Sequence, residues 1–419
     1  GISAVLDLAR KARIPALVAS AAAAGIDDEG VLIDLIDQAG NDPTLEEFAI
    51  SLAGALRWSR GEAFDERILT IARDRGWSHV RTATMLLGWP EVPSTWDLVA
   101  GLGSDAQDAF WSKRGPRRFE GSAEDLAKLV TNYLSVKRPG TALEAIHGRE
   151  DDLVIPLVAE LLGMRVQEIN EGGIAGDMDG YYIEELFKKL RKRADVSPDQ
   201  IAAWEYAFFP MLEYQDQDLV IYDLMANDPS FFVSILKDVF VEDGTNPDEQ
   251  ETTEEQRQRG NASHRILIAF DRAPAQQEDL SVDPDRLEKW VSGMIEAATE
   301  AKRLSIVNSY IGRALAHTAE LDGVWPQRPV ADVIERLHSE DLERGIQIER
   351  YNMRGVFSRA MFEGGVQERE LAERYRGWAA QQPASHMRTR AMLNSIAEGW
   401  DTDAKHADDE AARDRLRFQ

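Results

Sequence analysis

LIDLIDQAGNDPTLEEFAISLAGALRWSRG, running from Leu32 to Gly61, carries the pattern on which the fold turns. Leu32, Leu35, Ile36 and Ala39 stand at i, i+3, i+4 and i+7, and so do Leu45, Phe48, Ala49 and Leu52. That spacing lines apolar side chains along one face of a helix with a period near 3.6 residues. Gly40 and Gly61 punctuate the two runs, and Thr44 with Glu47 resembles a capping box at the second start. Two helices joined by so short a loop must run antiparallel.

The same grammar extends outward. Leu126, Leu129, Val130 and Tyr133 repeat the stripe behind Ser122 and Asp125, and Val154, Leu157, Val158 and Leu161 repeat it again. Gly25 and Gly76 supply further stops. In IAAWEYAFFPMLEY, Ile201, Trp204, Phe208 and Met211 fall on one side, with Pro210 kinking or ending the helix. Asp228-Pro229 and Asp283-Pro284 read as N-cap and first helical residue. The large aromatics, Trp89, Trp96, Phe110 and Trp111 among them, are expected to pack between helices. The period is lost in EDGTNPDEQETTEEQRQRGN (Glu242–Asn261), where seven acids face two arginines. HRILIAF (His264–Phe270) fits strand or helix equally by pattern. The expected fold is all-α: antiparallel helical hairpins stacked as an α-solenoid over residues 1–241, an acidic linker over 242–262, and a compact C-terminal helical domain over 263–419.

Composition excludes several classes. Seventy-four acidic against 48 basic residues give a formal charge of −26. Nucleic acid is therefore not expected as a partner, because binding its backbone requires a positive footprint. Anionic lipid is disfavoured for the same reason, and no apolar run reaches the ~18–20 residues that span a bilayer. The chain has no cysteine, so thiolate catalysis, disulfides and Cys-ligated zinc are excluded. A cytoplasmic location is expected. The chain opens on Gly1 inside a helical pattern and is read as part of a larger protein.

Motifs for chemistry are sparse. GxxxxGK[ST], GxSxG and HExxH do not occur, and the seven histidines are scattered singly. GGIAGDMDGYY (Gly172–Tyr182) fails as a calcium loop, since Leu186 stands where a bidentate Glu is needed, and reads as a turn capping a helix from Tyr181. KKLRKR (Lys188–Arg193) suits a helix C-terminus, where cations meet the negative end of the dipole. No catalytic residue, metal or cofactor is assigned. The densest signal is the arginine-rich region Ile346–Asn394, with eight Arg against five Glu. Arg354, Arg359, Gln367, Arg369, Arg374, Tyr375 and Arg376 are its candidate interaction residues. Arginine's planar fork suits paired carboxylates, phosphate and aromatic faces alike. The arginines are read first as a lock, pairing with Glu349, Glu363, Glu368, Glu370 and Glu373, and second as a binding surface.

WPQRPVADVIERL (Trp325–Leu337), NMRGVFSR (Asn352–Arg359), GGVQERELAERYRGWA (Gly364–Ala379) and RTRAMLNSIAEGWDTDA (Arg388–Ala404) resemble the C-terminal helical region of large bacterial multidomain proteins. TWDLVAGLGSDAQDAFW, KRPGTALEAI, IAAWEYAFFPMLEY and NDPSFFVSILKDVF resemble their helical array, so the likeness runs from about Thr82 to Asp401. Such arrays are similar to the tetratricopeptide- or HEAT-like sensor regions of STAND-type antiphage defence proteins. The resemblance implies a non-catalytic recognition module for a protein partner, either a phage component or other domains of the parent chain. It carries over no catalytic residue. The competing expectation is an enzyme or ligand-binding protein of another type, using the arginine-rich region for a phosphorylated or nucleotide ligand.

Overall fold

Helices form along the 3.6-residue stripes, and some end at Gly, as at Gly40 and Gly61, while Pro210 stands inside its helix without ending it. The computed structural model describes residues 1–117, 119–172, 178–213, 218–246, 252–360 and 362–417. Residues 173–177 of the GGIAGDMDGYY stretch and 247–251 of the acidic stretch lie outside the described residues. The chain divides into two compact units, Gly1–Val196 and Ser197–Gln419. Among the described residues there is no strand, only two isolated bridges, Gln276 with Val282 and Leu321 with Val324.

The first unit carries α1 (Ile2–Lys11), α2 (Pro15–Gly25), α3 (Glu29–Ala39), α4 (Glu46–Arg60), α5 (Ala63–Asp74) and α6 (His79–Leu86). It continues with α7 (Pro93–Ala100), α8 (Ser104–Lys113), α9 (Ala123–Ser135), α10 (Pro139–Ala145), α11 (Ile155–Asn170) and α12 (Asp179–Leu190). Helices α2, α4, α6 and α8 pack in succession, with α3 and α5 against α4 and α7 against α8. Gly54 on α4 lies where α4 meets the end of α6, and a Cβ there would stand 2.6 Å from the Gly88 carbonyl oxygen. Leu32, Leu35, Ile36, Phe48, Ala49 and Leu52 of the opening stretch are all buried. Each such Leu, Ile or Phe side chain contributes roughly 1.5–3 kcal/mol on burial. The cap between α3 and α4 differs from the expected box. Asp42, not Thr44, takes the capping role, accepting from the Thr44 N–H at 3.0 Å above a 3-10 turn at Pro43–Leu45. An ionised carboxylate is the stronger acceptor. At Ser122 the expected N-cap is present, accepting from Asp125 N at 3.1 Å.

Arginine also closes helix ends here. The buried Arg114 guanidinium donates to the Leu87 and Trp89 carbonyls at 2.7 and 3.0 Å and pairs with Glu91 at 2.7 Å. These groups satisfy carbonyls that α6 leaves without intrahelical donors. Within KKLRKR, Lys188 pairs with Glu184 and Glu185, Lys189 with Asp151 and Arg193 with Asp195.

The second unit carries α13 (Pro198–Leu212), α14 (Val220–Asn227), α15 (Pro229–Val239), α16 (Glu254–Ala269) and α17 (Pro284–Glu300). It ends with α18 (Leu304–Ala316), α19 (Arg328–Leu337), α20 (Glu340–Asn352), α21 (Val366–Gln381) and α22 (Met387–Arg417). HRILIAF belongs to helix α16, with Ile266 and Leu267 buried. That helix begins inside the acidic stretch, under a complete capping box of Thr253 and Gln256. Helix α15, which precedes the stretch, packs on both α16 and α17, which follow its start. The break between units therefore falls after Val196 and not in the acidic stretch.

On α13 the buried stripe is Ile201, Ala202, Glu205, Phe208, Phe209 and Leu212, turned from the expected face, while Trp204 and Met211 are half-buried. The turn has a reason: buried Glu205 accepts from the Ile221 N–H at 2.9 Å and so satisfies an orphan donor of α14. Helices α18 and α20 cross so closely that a Cβ on Gly312 or Gly345 would collide with the Leu342 or Ser309 carbonyl. Helices α21 and α22 form the terminal hairpin, and α19 and α20 pack against α22.

Candidate functional site

The arginine-rich region folds into α20, the connection 353–365, and the α21–α22 hairpin. Most of its cations are matched. Arg354 and Arg359 converge on the Glu368 carboxylate, at 2.6 and 2.5 Å. Glu368 is 0% exposed. Burial acts to raise its carboxyl, and the hydrogen bonds from Arg354, its own backbone and Arg359 outweigh that and hold it below its ordinary value. Gln367 braces the loop, donating to Ser358 O at 3.0 Å and Glu363 at 2.8 Å.

Arg369 pairs with Asp408 at 2.7 Å, and Arg376 pairs with Asp401. These partners are not the glutamates expected from sequence. Glu363 accepts from the Ala360 N–H and Gln367. Glu349 is held by Arg313 and His317, at 2.8 and 3.3 Å. Helices α21 and α22 run antiparallel, and in each the two charges stand seven residues apart, so both pairs form in one register. The shared heptad spacing of 369/376 and 401/408 was legible in the sequence. The hydrogen bond from Arg369 and that from the Gly365 N–H draw the Asp408 carboxyl down to about 2.

Tyr375 is buried on α21, its ring 5.0 Å from Trp378 and edge-on, its hydroxyl accepting from Arg350 Nε at 3.0 Å. Arg350 also donates to Ala316 O at 3.2 Å and lies 4.1 Å over the Trp325 ring. Arg374 is exposed, and among the described residues it makes no ion pair or hydrogen bond. Trp400, which sequence did not single out, is the hub on α22. It stacks on Tyr351 and lies 5.1 Å from the Arg354 guanidinium.

Two hollows flank Arg354. One, of about 390 Å³, lies between Phe357, Arg359, Trp400, His406 and Glu410. The other, of about 300 Å³, is framed by Arg350, Arg374, Tyr375, Trp378 and Trp400. Above them the connection exposes Met353, Val356, Phe357 and Phe362, with Tyr351 beside them on α20. A larger hollow of about 750 Å³ lies in the first unit beside His147, Arg149 and Tyr182. Three of its charged or titratable groups have partners: Arg149 with Gly121 O and Asp152, Arg117 with Trp89 O, and His147 with Glu150. Among the described residues no three His, Asp or Glu side chains are placed to hold a metal ion, and no helix is long and apolar enough to cross a membrane.

No protein-family model, curated protein or solved structure matches the chain.

Proposed function

We propose that this protein is a cytoplasmic, non-catalytic recognition module of helical-repeat type, and that it binds a protein partner through the exposed connection between α20 and α21. The observation that carries this reading is the cluster of exposed apolar side chains at Tyr351, Met353, Val356, Phe357 and Phe362. Several large apolar side chains exposed along one short connection are a feature of protein-binding sites. The arginines beneath it support the same reading. Arg354, Arg359, Arg369 and Arg376 are already paired to carboxylates. They position the loop, and being paired these four contribute little to holding a phosphorylated or nucleotide ligand. Serial packing of α2, α4, α6 and α8 favours stacked hairpins within the first unit. The resemblance to defence-protein sensor regions points to a phage component, or another domain of a parent chain, as the partner.

The test places a photo-crosslinking residue at Val356, with exposed Val154 on the first unit as the control position. In infected and uninfected cells, Val356 should capture a defined protein that Val154 does not, and Phe357→Asp should abolish the capture. Equal capture from both positions, or capture insensitive to Phe357→Asp, would overturn the proposal.

A further inference from the structure

The smaller hollow between α20 and α21 differs in charge from the rest of the molecule. No carboxylate lines it, although the chain as a whole carries a formal charge of −26. Of its three guanidiniums, only that of Arg354 is matched, by Glu368. Among the described residues, half-buried Arg350 is held by neutral groups: the Tyr375 hydroxyl, the Ala316 carbonyl and the Trp325 face. Arg374, on the same helix as Tyr375, makes no ion pair among the described residues. A cation held partly out of water without a counter-ion is costly; half-buried Arg350 is such a cation, and exposed Arg374 adds a second unpaired guanidinium to the lining. Trp378 and Trp400 supply the walls, and Met353 and Leu371 an apolar lip. The Trp400 indole N–H is also buried without a hydrogen-bond partner.

We propose that this hollow is a carboxylate pocket, which takes one acidic side chain of a partner's segment between Arg350 and Arg374 while the flanking apolar side chains rest on Met353 and the exposed connection. The inference rests on the protein-recognition reading and names the chemistry that the partner must present. A guanidinium fork meets a carboxylate through two parallel hydrogen bonds, and aromatic walls weaken competition from water. Size limits the occupant, since about 300 Å³ lies at the lower end of ligand cavities and suits a single side chain. Charge limits it further: a nucleic acid strand would meet the negative field of the whole chain.

The probes are the capped peptides Ac-Leu-Glu-Leu-NH2 and Ac-Leu-Gln-Leu-NH2, with inorganic phosphate as a third ligand. The readout is the indole N–H resonances of Trp378 and Trp400 in the full chain. The glutamate peptide should shift them at a concentration at least ten-fold lower than the glutamine peptide or phosphate. Arg374→Gln, which breaks no hydrogen bond or ion pair among the described residues, should abolish that difference, and Arg328→Gln on α19 should preserve it. Equal responses to the two peptides, a stronger response to phosphate, or a difference that survives Arg374→Gln would each overturn the pocket. Partner capture at Val356 that persists in Arg374→Gln would overturn the pocket while leaving the recognition reading intact.

Discussion

The Tyr351 ring lies flat on the Trp400 indole, with centroids 4.2 Å apart and planes 7° from parallel. This stack ties the end of α20 to the middle of α22, and its Trp400 ring lines both hollows. Trp400 is 2% exposed, so Trp400→Ala removes a buried ring and leaves a cavity, at a cost of about 3–5 kcal/mol. Tyr351→Ala should cost about 1 kcal/mol, the scale of an aromatic pair at a half-open position. Chemical denaturation followed by circular dichroism checks both. Equal effects would show that the shared stack, and not burial of the Trp400 ring, is the determinant.

Glu368 holds two guanidiniums, and its removal leaves both without a counter-charge in a part-buried setting. Glu368→Gln should destabilise the second unit by about 3 kcal/mol or more. Replacing Arg354 and Arg359 by Met in the same variant should recover part of that loss. The triple variant, compared with Glu368→Gln alone in urea titrations, decides whether uncompensated charge is the cause.

The α21–α22 register should be sensitive to acid. Asp408 has its folded value drawn from 3.8 to about 2 by Arg369. A carboxyl depressed on folding adds stability that is complete above the unfolded value and lost as pH falls through the folded one. Stability should therefore decline between pH 4 and pH 2, and Asp408→Asn should flatten that part of the profile. Thermal melts across this range give the answer, and an identical slope in the variant would remove Asp408 from the account.

Close helix packing makes some glycines intolerant and others free. Gly312→Ala or Gly345→Ala forces a methyl group onto a carbonyl of the facing helix and should cost about 1–3 kcal/mol. Gly163 and Gly377 lie within helices and have open space at the Cβ position. Alanine there should stabilise by about 0.4–1 kcal/mol, since it restricts the unfolded chain and favours the helix. Melting temperatures of the four single variants test the contrast.

What the sequence by itself determined was local. Stripes such as Leu32/Leu35/Ile36/Ala39 and starts such as Asp228-Pro229 act through neighbours three or four residues away, and they made the chain all-α before any packing was known. The concentration of arginine around Glu368 was legible for the same reason, because loop and helix lie close in sequence. Only the tertiary structure decided the partners that come from elsewhere. Arg369 and Arg376 find aspartates on α22, and Arg313 and His317 reach Glu349 from α18 and its C-terminal end. Glu205 turned the α13 stripe because a donor on α14 needed it. Which guanidinium is left without a carboxylate depends on which helix faces it. For that reason composition could mark the region as a site, but only the packed helices could single out Arg350 and Arg374 within it.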